Sequence, residues 1–137
     1  GRFLVKPEEH PKGWGKEMWI ANTKYCGKKM WLFKGKKCSV HYHKNKEETF
    51  FIQSGKMECT LWPEGYPGPA KKLILGPNDT VHLEPGMIHQ FIGIDEETEF
   101  FEFSTHHEEE DSYRLAPGDS QTSGMQEFVK AESPNSN

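Results

Sequence analysis

The chain has 137 residues, a net charge of −4, and 28% charged against 34% hydrophobic residues, which fits one domain and leaves little room for a second. The slight acidity and scattered lysines exclude the basic footprint of a nucleic-acid binder, and no apolar run approaches the roughly 18 residues of a membrane span. Nine Phe, four Trp and four Tyr supply the bulk of a modest core, because each buried ring removes roughly 150–250 Å² from water.

At the N-terminus, Gly1 in place of a methionine reads as processing or an expression scar, and no apolar h-region of a secretory signal follows. Three cysteines (Cys26, Cys38, Cys59) are an odd number without a CxxC pair, which points to small residues tucked into strands in a reducing cytoplasm. Residues 1–16 are polar and rich in Pro, Gly and Lys, and form an N-terminal extension with Trp14 as its large anchor.

From there the chain is a succession of short β-branched and aromatic segments. Strands are expected at 18–22, 25–33, 38–43, 49–54, 57–62, 72–75, 80–83, 88–94 and 99–104. Turn residues separate them, among them Lys34-Gly35, Ser54-Gly55-Lys56, Gly76-Pro77-Asn78-Asp79 and Pro85-Gly86. No window of a dozen residues keeps a helical period before residue 120. Many short strands at this spacing imply an all-β sandwich or barrel over 17–117. From residue 118 to 137 the composition turns to Ser, Gln, Asn, Gly and Pro, expected to be a mobile tail with room for one helical turn at 125–130.

Within 38–43, strand alternation points His41 and His43 the same way, with Tyr42 opposite. Glu48 opens the next strand and shares a face with Phe50 and Ile52. Far along the chain, Pro85-Gly86 turns into a strand whose inward residues are His89 and Phe91. Two imidazoles on one strand, a carboxylate on the next and a third imidazole from a distant strand can converge on one divalent ion. This donor set suits Mn, Fe, Co, Ni or Zn without choosing among them. Of the other histidines, His82 is out of phase with Val81 and Leu83 and is expected to face solvent. His106 and His107 adjoin the acidic run 108–111 and read as part of a solvated charged stretch.

These residues resemble the cupin family. Its first motif, Gly-x5-His-x-His-x4-Glu-x6-Gly, is matched from Gly35 through His41, His43 and Glu48 to Gly55. Its second, built around Pro-x-Gly-x2-His-x3-Asn, is matched by Pro85, Gly86 and His89, with proline adjacent to the glycine and Gly93 in place of the closing Asn. The resemblance covers roughly residues 17–115. It implies a cupin double-stranded β-helix, a jelly-roll barrel, with His41, His43, Glu48 and His89 as metal ligands.

Two further residues carry a finer resemblance. The spacing His-x-His-x2-Lys-x-Glu, which includes Lys46, is similar to that of cupin sugar isomerases of the D-lyxose isomerase type, where this lysine lies beside the metal-bound sugar. Glu102-Phe103-Ser104-Thr105 resembles their Glu-x-Ser-Thr run, whose glutamate is a proposed base. Alternation puts Phe100, Glu102 and Ser104 on one face and Phe101 with Phe103 on the other, and either face can fill the core. With Glu102 inside, burial among phenylalanines is expected to raise its pKa. The resemblance implies a metal-dependent aldose–ketose isomerase working on a sugar or sugar phosphate through a stabilised enediolate, with Glu102 moving the proton and Lys46 assisting at oxygen. A non-catalytic module that binds a sugar or small polar ligand, and an iron-dependent dioxygenase, stay open beside it. Arg114 is expected to pair with Asp111 or to meet an anionic group. Apolar residues on both faces of 99–103 suggest a homodimer.

Overall fold

The computed structural model describes residues 3–119. They form β1 (Glu8–Lys12), β2 (Gly15–Asn22), β3 (Tyr25–Phe33), β4 (Val40–His43), β5 (Glu48–Ser54), β6 (Met57–Trp62), β7 (Lys71–Leu75), β8 (Thr80–Leu83), β9 (Ile88–Gly93), β10 (Glu97–Thr105) and β11 (Ser112–Ala116), with a 3-10 turn at Glu109–Asp111. The helical turn expected at 125–130 and the tail from 120 onward lie outside the described residues.

Every expected strand is present, and three of them, at 25–33, 57–62 and 80–83, have the expected ends. Two strands come from segments read as irregular. In β1, Glu8-Glu9-His10-Pro11-Lys12 has no apolar residue to signal a strand. It forms because Lys12 pairs with Gly15 and Glu8 with Trp19 in a tight hairpin with β2, at a sheet edge where Pro11 is tolerated. In the same way β11 is an edge strand held by β4. β1 and the start of β2 therefore lie within the residues first set apart as an extension.

The strands build two antiparallel sheets, in the orders β1-β2-β3-β10-β5-β8 and β11-β4-β9-β6-β7. Met30, Leu32, Phe50, Ile52, Met57, Cys59, Leu75, Val81, Leu83, Phe91 and Phe100 pack between them, and Trp14 leans on this core from the β1–β2 hairpin. On the outer face of the first sheet Phe101 and Phe103 stack at 6.1 Å, and Phe103 is exposed.

Strand period and register together sort the interior by polarity. The inward residues of β3 run Lys28, Met30, Leu32; those of β10 run Glu102, Phe100, Thr98; those of β5 run Glu48, Phe50, Ile52. Register sets Glu102 opposite Lys28 and Phe50, and Phe100 opposite Met30 and Ile52. One end of the barrel interior is thereby charged and the other is apolar. No helix among the described residues is long and apolar enough to cross a membrane.

The three motif glycines Gly35, Gly55 and Gly86 all have positive φ, at 74°, 84° and 93°, a region costly for residues with a Cβ. At Gly35 and Gly86 an added Cβ would meet nothing within 4 Å, whereas at Gly55 it would lie 2.5 Å from the Glu97 carbonyl oxygen and 2.8 Å from Thr98 Cα. Gly35→Ala should therefore cost about 1 kcal/mol, from backbone conformation alone. Gly55→Ala should cost about 3 kcal/mol, because strain and backbone displacement combine. Urea unfolding of the two variants checks this; equal losses would contradict the account.

Candidate metal centre

β4 and β9 meet at one ladder pair, His41 opposite His89, so the two imidazoles emerge side by side with ring centroids 4.4 Å apart. His43 follows His41 by one strand period, with ring centroids 5.2 Å apart. A ring nitrogen from each of the three lies within 4.8 Å of those of the others. Each Nδ1 faces a backbone carbonyl: Ser39 for His41 at 2.9 Å, Asp111 for His43 at 3.0 Å, Met87 for His89 at 2.9 Å. A carbonyl only accepts, so each Nδ1 carries the hydrogen and each Nε2 keeps its lone pair. Burial, reinforced for His41 and His43 by neighbouring cationic groups, pushes these two well below the ordinary imidazole range and His89 down to about 4. All three are neutral near pH 7, the form that binds metal.

His89 Nε2 is buried without a hydrogen-bond partner among the described residues. Leaving a buried acceptor unmet costs about 1–3 kcal/mol, and a divalent cation would satisfy it together with its two neighbours. The residues fit such an ion. Glu48 stands next to the trio, with Oε2 3.6 Å from His43 Nε2 and 3.5 Å from His89 Nε2. Its other oxygen lies 3.3 Å from Lys46 Nζ. Burial pushes the Glu48 carboxyl up, against the pull of Lys46.

Lys46, only 3% exposed, reaches across to Glu102 Oε2 at 2.9 Å and His107 Nδ1 at 2.9 Å. Burial works against its charge, but Glu102 and Glu48 outweigh this and raise its pKa above the ordinary lysine value. Of the two faces the sequence left open, Glu102 lies on the inner one with Phe100, and Ser104 Oγ donates to it at 2.7 Å. The expected rise in its pKa is corrected. Burial does push it up, but Lys46 and Lys28, with hydrogen bonds from Lys46 and Ser104, hold it well below the ordinary carboxylate range. Its inward neighbours include two ammonium groups as well as phenylalanines.

The turn after β10 locks this arrangement. Asp111 is buried, and its carboxylate accepts from the amides of Lys44, Asn45 and Lys46 at 2.9–3.1 Å, while its own carbonyl orients His43. One residue thus sets both the loop that aims Lys46 and a candidate metal ligand. Arg114 lies opposite His41 across the β4–β11 ladder and lines the cavity.

The histidine trio, Glu48, Lys46 and Glu102 all line one cavity of about 300 Å³. The reading of His107 as solvated is overturned: it is 7% exposed and lines the same cavity, whereas His106 and His82 are exposed as expected. No local signal marks His107, because its partners come from β2 and from the loop after β4. Lys28 and Glu17 also line the cavity, 3.6 Å apart. Lys28 was legible by parity, being in phase with Met30 and Leu32.

No protein-family model and no curated protein matches the sequence. Among solved structures, the chain is similar to the capsular polysaccharide assembling protein CapF from Staphylococcus aureus, with TM-score 0.72, 16% identity, and coverage of 83% of this chain and 35% of that chain. Oxalate decarboxylase from Bacillus subtilis gives TM-score 0.70, 17% identity, and coverage of 82% and 33%. The formate complex of the Lactobacillus farciminis oxalate decarboxylase gives 0.68, 19%, and 80% and 34%. The chain spans about a third of the length of these structures. The fold they share with it is the cupin double-stranded β-helix.

Chelator-stripped protein should take up one divalent ion per chain by calorimetric titration. His89→Ala should weaken this at least about 100-fold, beyond what loss of an outer-shell group costs. In the metal-free protein the three imidazoles stay neutral when folded but take protons when unfolded. Their contribution is therefore full above pH 6.5 and is lost as pH falls toward the folded value, about 4 for His89. That histidine alone accounts for about 3 kcal/mol, and thermal melts from pH 7 to 4 should show the loss, reduced in His89→Ala.

Proposed function

We propose that this chain is a metal-dependent cupin enzyme that moves a proton between adjacent carbons of a small polyhydroxylated carbonyl compound, an aldose–ketose isomerase in reaction class. The observation that supports it most is the buried Lys46–Glu102 pair, 2.9 Å apart, lining the same cavity as His41, His43 and His89. These three, with Glu48, would hold the ion, which when bound supplies a Lewis acid to polarise the substrate carbonyl.

The chain's own residues supply the proton chemistry. Glu102 is ionised at neutral pH and so is in the form that accepts a proton, while the two lysines that keep it ionised also lower its strength as a base. Ser104 and Lys46 fix the Oε2 atom of its carboxylate, which leaves Oε1 for transfer. The Lys46 ammonium stabilises negative charge developing on a substrate oxygen, in an interior where such a charge is felt strongly. The apolar wall of Met30, Leu32 and Phe91 limits water beside the reacting carbons.

A second reading, a sugar-binding module without turnover, is favoured by one specific observation. All three Lys46 N–H bonds have acceptors within 3.3 Å, as in a purely structural ion pair.

The test is a metal-reconstituted isomerisation assay under anaerobic conditions over free and phosphorylated aldoses. Turnover is expected, and Glu102→Gln should lower kcat by about 10²–10⁴ with metal content unchanged. Full activity in that variant removes the mechanism. Ligand-induced thermal stabilisation without turnover selects the binding module, and oxygen uptake with Fe(II) selects oxidative chemistry.

A further inference from the structure

An ammonium has three N–H bonds, and Lys46 meets three acceptors: Glu102 Oε2 at 2.9 Å, His107 Nδ1 at 2.9 Å and Glu48 Oε1 at 3.3 Å. Two are carboxylates, drawn to a cation by charge. The third is a neutral ring, which no net charge draws to the cation, and the fold holds it in place from several sides. Asn22 Oδ1 accepts from the His107 backbone N–H at 2.8 Å, and Asn22 Nδ2 donates to the His107 carbonyl at 3.1 Å. Trp19 meets the ring edge-on, with centroids 5.4 Å apart and planes at 79°. Glu109 Oε1 lies 3.4 Å from Nε2. An ammonium accepts nothing, so Nδ1 must be the acceptor and the ring hydrogen sits on Nε2, facing Glu109.

We infer that His107 is a positioning residue for Lys46: it and Glu102 each take one N–H, so that the remaining N–H is aimed at the side of the cavity where Glu48 and the three imidazoles lie. A point charge on a flexible four-carbon stem has no preferred direction of its own, and two fixed acceptors are the least that define one. The inference rests on the reading of Lys46 as a group acting on substrate, and its main test does not need turnover.

That test reads the Lys46 ammonium in the full chain, metal-free and loaded with Zn(II), by proton–nitrogen NMR correlation. A buried, fully bonded ammonium exchanges its protons slowly enough to give a resolved Nζ signal, and long-range nitrogen spectra should show His107 as the Nε2–H tautomer. His107→Asn places a carbonyl where Nδ1 was and should keep the signal. His107→Leu, and His107→Gln with its carbonyl toward the Nε2 side, should lose it or speed its exchange at least about 10-fold, the scale of one net hydrogen bond. In protein that turns over an aldose, His107→Leu should lower kcat with KM little changed, and His107→Asn should restore it.

An unchanged Lys46 signal in a folded His107→Leu variant would overturn the inference. Equal behaviour of the Asn and Gln variants would do the same, and covers the case in which the Leu variant does not fold. The expected signals in a protein that isomerises no sugar would support the role of His107 while removing the isomerase reading.

Discussion

Lys46 carries a full positive charge into the barrel, and much of the surrounding structure is arranged to make that possible. Removing an ammonium from water costs several kcal/mol unless acceptors replace the lost hydration. They come from separate places: Glu48 from β5, Glu102 from β10, and His107 from the turn beyond it. The backbone of the loop carrying Lys46 is held in turn by the Asp111 carboxylate. Glu102 is ionised because it answers to two lysines, and Lys28 is held by Glu17 at 3.6 Å and lies over the Trp19 ring at 4.4 Å. The network is mutually dependent, so removing one member leaves an uncompensated charge at the centre.

The same ammonium bears on the imidazoles. After burial, Lys46 is the largest influence keeping His43 neutral, and a neutral ring with its hydrogen on Nδ1 leaves the Nε2 lone pair available to a metal ion. Asp111 joins the two halves of the centre, since its carbonyl fixes the His43 tautomer and its carboxylate fixes the loop that delivers Lys46. The 3-10 turn at 109–111 is therefore a support common to the candidate metal ligands and to the Lys46–Glu102 pair.

Much of this was legible in the chain, for a reason that lies in strand geometry. Side chains two apart share a face, so the grouping of His41 with His43, of Glu48 with Phe50, and of Glu102 with Phe100 follows from parity wherever a strand can be recognised. With phenylalanines on both faces of β10, however, only the structure decided that the Glu102 face is the inner one. The turns follow as well, because Gly35, Gly55 and Gly86 occupy positive φ, which few other residues adopt at low cost. The strands that escaped recognition, β1 and β11, are edge strands: β1 lacks apolar alternation, and β11 offers only Tyr113 and Leu115 directly after an acidic run; each is held by the open ladder of its neighbour. The Glu102 pKa was misjudged on similar grounds, since its flanking phenylalanines are adjacent in sequence while Lys28 and Lys46 are neighbours only across the sheet.

What the sequence determined by itself was the set of local directions: which residues share a strand face, where the chain must turn, and that three histidines and a glutamate stand where the resemblance to cupins implies metal ligands. Only the tertiary structure decided who meets whom across the interior. Lys46 finds Glu102 over a separation of 56 residues and His107 over 61, and Asn22 finds His107 over 85. Such pairings depend on strand order and register, which are set by how the whole hydrophobic pattern closes into two sheets. No short stretch of sequence contains that information, because the energy that selects the register belongs to all the strands at once.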